Sequence, residues 1–216
     1  MVYILNIHTA TETAIINLMK NEKVLATFTN TETREHAAFL HTAIKELLQL
    51  HAIDLKDLDA IGVTSGPGSY TGIRIGLATV KGLCYALKIP LITYNSLEVM
   101  AVSAVNFAKD TDAFYCPMID ARRMEVYTAV YNYDLKEIIS PSAIILSEAL
   151  FAEIPACNKI FFSGSGSNKF QKISKYTNAV FLTHEITTES FAKIAWKKYS
   201  KNDFVNVPYA QPLYIK

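Results

Sequence analysis

The order of secondary-structure elements constrains this chain more than any single motif does, because the same order can be read twice along it. Val2 to Ile7, Ala14 to Met19 and Val24 to Thr29 read as strands, with a turn at Asn21 and Glu22. Ala38, Phe39, Ala43, Leu47 and Leu50 return at helical spacing from Glu35 to Leu50, and Asp54 to Leu58 leads into a strand at Ala60 to Thr64. A glycine-rich turn, a helix to about Leu87 and a strand at Leu91 to Tyr94 complete the order β-β-β-α-β-α-β. Asn95 or Ser96 caps a helix running to about Phe107. The order then repeats: strands at Phe114 to Ile119, Glu125 to Tyr131 and Ile138 to Leu146, a helix from Ser147, a strand at Lys159 to Phe162, a helix from about Asn168 and a strand at Ala179 to Leu182. A last helix, from Thr188 to about Tyr199, is expected to pack back on the first half. The repeat predicts an α/β protein of two similar halves, each a mixed sheet flanked by helices.

Between the fourth strand and its helix lies SGPGSYTGIRIG, Ser65 to Gly76. Glycines in such a turn let backbone N–H groups approach a phosphate at a helix N-terminus. The spacing fails both nucleotide fingerprints: Thr71 stands where G-x-G-x-x-G needs its third glycine, and no Gly-Lys-Ser/Thr follows. The competing reading is a tight connection capped by Ser69 or Thr71. Glycine continues into the helix at Gly72, Gly76 and Gly82, each interior one costing about 1 kcal/mol against alanine. Ala78, Gly82 and Ala86 form one ridge of small residues, and Gly72, Gly76 and Thr79 form another. Either the protein's own sheet or a partner subunit approaches closely there. Arg74, near the helix N-terminus where a cation is disfavoured, is a candidate for a carboxylate partner, with an exposed arginine as the alternative. Arg122 and Arg123, after a strand end of the second half, are candidates to bind phosphate or a partner's carboxylate, or are simply solvated.

Half of the 216 residues are hydrophobic, enough for a sizeable core. A formal net charge of +1 supplies no field that would hold a polyanion, so nucleic acid is expected to be met through a partner. Lys193, Lys197, Lys198 and Lys201 make the last helix basic, which reads first as a solvated face and second as a surface that brushes tRNA in a complex. Cys84, Cys116 and Cys157 fit neither a disulfide framework nor a metal knuckle, pointing to the cytoplasm. No leader and no membrane span is expected.

These residues match a known family. SGPGSYTGIRIGLATVKGLCYAL, Ser65 to Leu87, resembles the signature of the TsaB family. REHAAFL at Arg34 to Leu40, YNSLEVMA at Tyr94 to Ala101, IDARRMEVY at Ile119 to Tyr127 and the ending PLYIK at Pro212 to Lys216 agree in order, so the resemblance covers essentially the whole chain. It implies an actin-like and Hsp70-like ATPase (ASKHA) fold of two ribonuclease H-like halves, the first comprising residues 1–97 plus about 186–216 and the second residues 98–185. It further implies a subunit that is not an ATPase by itself. Such a subunit pairs with a TsaD-like transferase, which carries the metal and the transferase site, and with a TsaE-like ATPase. Together they move a threonylcarbamoyl group from threonylcarbamoyl-AMP to N6 of the tRNA adenosine next to the anticodon. A homodimer is expected in the partners' absence, with tRNA met only through the complex. The subunit alone is expected to bind no cofactor, ATP being used by the complex. The first half's helices are the surface implied for both pairings, which makes Thr71, Gly72, Arg74, Gly76, Thr79 and Gly82, with His36 and Leu40, the expected partner-binding residues.

An actin-like ATPase places a carboxylate at the end of the first strand of each half. Asp120 supplies the second, but His8 stands where relatives with this motif usually carry an acid, and a neutral imidazole is a poor magnesium ligand. Asp120 is then structural or partner-facing, and His8 is expected to be satisfied by local hydrogen bonds. His36 and His41, five apart, diverge by about 140° around a helix and make no metal pair. No nucleophile elbow surrounds Ser65 or Ser69, and Cys84 reads as core. The expectation is no catalytic residue and no metal. The alternative is an independent enzyme, either an ATP-dependent kinase or a peptidase of the old glycoprotease description.

Overall fold

A computed structural model describes residues 1–32, 36–148, 150–151, 154–155 and 157–215, with His36 described by its backbone only. The chain divides into two units, Met1–Ser96 with Thr187–Leu213, and Leu97–Ile186 with Tyr214–Lys216.

The first unit is built on strands β1 (Tyr3–His8), β2 (Ala14–Lys20), β3 (Lys23–Asn30), β4 (Ala60–Gly66) and β5 (Leu91–Asn95) in the spatial order β3-β2-β1-β4-β5. The first three pair antiparallel and the last two join in parallel. β1, β2 and β4 lie inside the sheet and are almost wholly buried, which explains their continuous apolar character; β3, at the edge, is half-exposed. Asn21 takes the left-handed conformation (φ 53°) in the β2–β3 turn, as asparagine does readily.

Helices α1 (His36–Leu50) and α2 (Tyr70–Leu87) cover one face of this sheet. Leu40, Ala43, Ile44, Leu47 and Leu48 make the buried stripe of α1 and meet Leu77, Val80 and Cys84 of α2 over Leu5, Ile7 and Val63. Side chains alternate along a strand, so Asn6 and His8 face the other way, toward helix α5 (Thr188–Ser200). That face is polar yet paired. Asn6 Nδ2 donates to Asn17 Oδ1 (2.8 Å), the Tyr94 hydroxyl donates to Asn6 Oδ1 (2.5 Å), and Asn17 Nδ2 donates to the Thr188 carbonyl of α5 (3.3 Å). Burial holds the Tyr94 pKa well above the phenol range, so the hydroxyl remains a donor.

In the second unit β6 (Phe114–Asp120), β7 (Glu125–Tyr131), β8 (Glu137–Ile145), β9 (Ile160–Ser163) and β10 (Ala179–Phe181) repeat the order, read as β8-β7-β6-β9-β10 with the same senses of pairing. Helix α3 (Ser96–Ala108) packs Leu97, Met100 and Ala101 against Ile119, Ala129 and Tyr131. A short helix α4 (Ser167–Gln171) places Phe170 in an aromatic core with Phe162 and Phe181. Two mixed sheets of one topology, each flanked by helices, bear out the two similar halves expected from the repeated order.

The helix expected from Ser147 is a correction: no helix occurs among the described residues there, while 149, 152, 153 and 156 lie outside them. Leu150 N–H and Ile154 N–H bond three residues back, to Ser147 and Phe151, and Phe151 has φ 69°. Leu150, Phe151 and Ile154 are nonetheless buried in the second unit's core. Single turns tied down by packing replace a helix that would be too short to stand by itself.

Because Tyr94 supplies a donor to the buried Asn6 amide oxygen, Tyr94→Phe should destabilise the protein by about 1–3 kcal/mol in urea denaturation. A loss under about 0.5 kcal/mol would show that the pair adds nothing net.

Candidate functional site

The glycine loop leaves β4 at Ser65 and Gly66 and enters α2, where Ser69 is the N-cap, its Oγ accepting the Gly72 N–H at 3.2 Å. The segment after β1 crosses this first turn. Ser69 N–H donates to the Ala10 carbonyl (2.7 Å), and Thr9 Oγ1 donates to the Gly72 carbonyl (2.7 Å). A Cβ on Gly72 would lie 1.9 Å from the Thr9 carbonyl oxygen, and one on Gly76 would lie 2.4 Å from Thr9 Oγ1. The close backbone approach that these glycines permit is therefore made by Thr9 and Ala10 of the same chain.

This corrects the expected partner strip. Gly72 and Gly76 are buried against their own sheet, Thr79 is half-buried, and Leu40 is fully buried in the core beneath α1. The side chain of His36 lies outside the described residues. Thr71, Arg74, Ala78, Gly82 and Ala86 do face solvent, and with them Tyr70 and Tyr85. Tyr85 is 77% exposed, although helical geometry puts it on the same face as Ala78 and Gly82. Reading the wheel outward from Ala78 would have found it. Arg74 lies over the Tyr70 ring at 4.3 Å from its centroid, so an aromatic face accompanies the guanidinium near the helix N-terminus. Among the described residues a Cβ on Gly82 would meet nothing within 4 Å. Beside this face a groove of 290 Å³ runs between α1 and α2, lined by His41, Ile44, Leu48, Ile53, Leu55 and Leu83.

His8 is 1% exposed at the end of β1. Its Nδ1 lies 3.0 Å from Thr64 Oγ1 and its Nε2 lies 2.7 Å from Thr11 Oγ1. Thr11 Oγ1 in turn donates to the Thr13 carbonyl at 3.3 Å, so both ring nitrogens meet threonine hydroxyls. The ring also packs on Phe191 of α5, with centroids 5.3 Å apart.

In the second unit Asp120 ends β6 with both backbone and side chain engaged. Its N–H donates to Ser165 Oγ (3.1 Å), and its Oδ1 accepts from the Arg122 N–H (2.6 Å) and Lys169 Nζ (2.5 Å). Lys169 also donates to the Arg123 carbonyl at 2.6 Å. Burial alone would raise the Asp120 pKa, but the Lys169 ammonium and the Arg122 N–H outweigh it and hold the carboxyl below its usual range. Arg122 and Arg123 are exposed at the β6–β7 turn, both with positive φ (70° and 48°). The carboxylate thus fastens a hairpin turn.

Among the described residues no three His, Cys, Asp or Glu side chains come close enough to hold a metal ion. Cys84 is 1% exposed, and burial pushes its thiol up to about 12, so it stays protonated within the core. No described helix is long and apolar enough to cross a membrane.

Two outcomes separate inward from outward glycines. Gly72→Ala should destabilise the fold by about 1–3 kcal/mol in thermal or urea denaturation, since backbone must move, whereas Gly82→Ala should stabilise it by up to about 1 kcal/mol. For Asp120 the folded pKa is depressed, so its stabilisation is present above the unfolded carboxylate pKa and is lost as pH falls through the folded value. The stability gap between the unaltered protein and Lys169→Met should accordingly be widest near neutrality and close in acid; a gap independent of pH would disprove the coupling.

Residues 23–207 match the family model described as TsaD: tRNA N6-adenosine threonylcarbamoyltransferase. The chain is 34% identical over 150 residues to the tRNA threonylcarbamoyladenosine biosynthesis protein TsaB of Bacillus subtilis, covering 68% of this chain and 64% of that protein. It is 28% identical over 220 residues to the protein of the same name from Escherichia coli, covering 99% and 94%. A crystal structure from Pseudomonas aeruginosa, described as similar to the peptidase YEAZ, matches with a TM-score of 0.86 at 25% identity over the whole of both chains. Matched across most of its length, the chain belongs to the tRNA N6-adenosine threonylcarbamoyltransferase (TsaD) family, within which it is of the TsaB, or YeaZ, type.

Proposed function

We propose that this chain serves tRNA threonylcarbamoyladenosine biosynthesis as a scaffolding subunit that performs no chemistry itself. Its outward α2 face, with the adjoining groove against α1, docks a TsaD-like transferase, and a TsaE-like ATPase joins the pair. ATP is used by that complex and is not held by this chain alone, tRNA is met through the complex, and the site of action is the cytoplasm. Without the transferase the same face pairs with a second copy of the chain.

The observation that carries the docking role is Gly82. It costs the helix about 1 kcal/mol, yet among the described residues nothing occupies the space a side chain would take. With Ala78 and Ala86 on either side it leaves a smooth ridge against which another helix can lie at short axial distance. Exposed Tyr85, on the same face, has the amphipathic character common at interface anchors. The absence of chemistry is supported by the strand ends: His8 is sealed between two threonines, and the Asp120 charge is met by Lys169.

The reading is tested by reconstituting the tRNA modification from purified components with and without this chain. Modification should require it, and Gly82→Trp should weaken binding to the transferase at least about tenfold while the variant's circular dichroism and melting stay native. Full affinity in Gly82→Trp would remove α2 as the docking face. Turnover of ATP or peptide by the chain alone, abolished in Asp120→Asn, would replace the scaffold with an independent enzyme.

A further inference from the structure

After α5 the chain returns across the first unit and is fastened to it at three separate places. Val205 N–H donates to the Leu91 carbonyl at 2.9 Å, forming an isolated antiparallel bridge at the start of β5. Val207–Tyr209 make one turn of 3-10 helix against α2, where Lys81 Nζ donates to the carbonyls of Pro208 and Ala210, each at 3.0 Å. Val205 and Val207 pack on the core of α1, α2 and the sheet, and Ala210 is buried in it. Leu213 N–H then donates to the carbonyl of Ser65, the residue from which the glycine loop springs, at 2.7 Å.

The glycine loop is shaped for this third contact. A Cβ on Gly66 would lie 2.7 Å from the Leu213 carbonyl oxygen, and Gly66 has φ 122°, a conformation few other residues adopt. Ser65 is buried, so without the Leu213 N–H its carbonyl would lose this donor in a place with little water to replace it. The loop is consequently held from two sides, by Ala10 at its far end through Ser69 N–H and by Leu213 at its near end through Ser65.

We propose that residues 205–213 form a positioning strap: they hold the glycine loop and the first turn of α2 in place, and so set the outward α2 face without being part of it. Lys81 and the Leu213 N–H are its two clamps. The consequence for a partner rests on the docking role assigned to that face; the consequence for the loop does not.

Four full-length variants test this. Leu213→Pro removes the N–H while Leu213→Ala keeps it; Lys81→Met keeps the apolar stem and removes the donor while Lys81→Arg keeps a cation. Amide hydrogen exchange is read over residues 66–73, with residues 40–48 of α1 as the internal check on folding, and affinity for a TsaD-like transferase is measured in parallel. Leu213→Pro and Lys81→Met should each speed exchange over 66–73 about tenfold, leave α1 unchanged and weaken the transferase affinity about tenfold. Leu213→Ala and Lys81→Arg should remain within about twofold of the unaltered chain. Exchange over 66–73 that stays unaltered in both disruptive variants overturns the strap, and exchange that rises with no loss of affinity overturns its effect on the outward α2 face. Failure of the unaltered chain to bind the transferase overturns the docking role instead, and the exchange data still decide whether the strap holds the loop.

Discussion

The crossing of the β1–β2 connection over the first turns of α2 is the contact on which the candidate surface depends. Thr9 and Gly72 are 63 positions apart in sequence, yet Thr9 Oγ1 bonds the Gly72 carbonyl and Ser69 N–H bonds the Ala10 carbonyl. Such proximity requires that no side chain stand at Gly72 or Gly76, and it therefore fixes the rotation of α2 about its own axis. With those two glycines turned inward, Thr71, Arg74, Ala78, Gly82 and Tyr85 can only turn outward. The glycine loop is thus a packing device whose product is an oriented helix face.

The other face of the first sheet is governed by polar pairing. Asn6, Asn17, Tyr94, His8 and Thr64 are all buried there, and each finds a partner within the unit. Such a network penalises any rearrangement that leaves one member unpaired, so α5 is held in one register over the sheet. It also engages both ring nitrogens of His8. In the second unit Asp120 is committed in a comparable way, between Lys169 and the backbone of its own turn. Both strand ends serve the fold, in keeping with the scaffolding role proposed above.

Much of this could be read from residue order. The described strands lie where β-branched and aromatic runs place them, and the stripe Leu40, Ala43, Ile44, Leu47, Leu48 follows directly from helical periodicity. The repeated order of elements gave the two sheets, because strand connectivity survives even where a helix does not. The helix expected from Ser147 shows the limit: its composition suits a helix, but Phe151 in the left-handed region and burial of Leu150 and Ile154 favour packed turns. Leu40 illustrates a related limit, since an apolar residue on an amphipathic helix is equally consistent with a core and with an interface until the sheet beneath it is placed.

What the sequence by itself determined was local: which segments become strands or helices, that they come in two sets, that α2 carries too many glycines for its own stability, and which family motif those glycines belong to. Only the tertiary structure decided what each glycine is for. A glycine records that a Cβ is missing, and the atom that fills the space comes from elsewhere in the chain or from outside it. Thr9 fills it at Gly72 and Gly76, Leu213 crowds it at Gly66, and at Gly82 none of the described residues fills it. The physical reason is that periodicity acts over a few residues of one element, whereas these contacts are made by backbone that folding brings back from distant parts of the sequence.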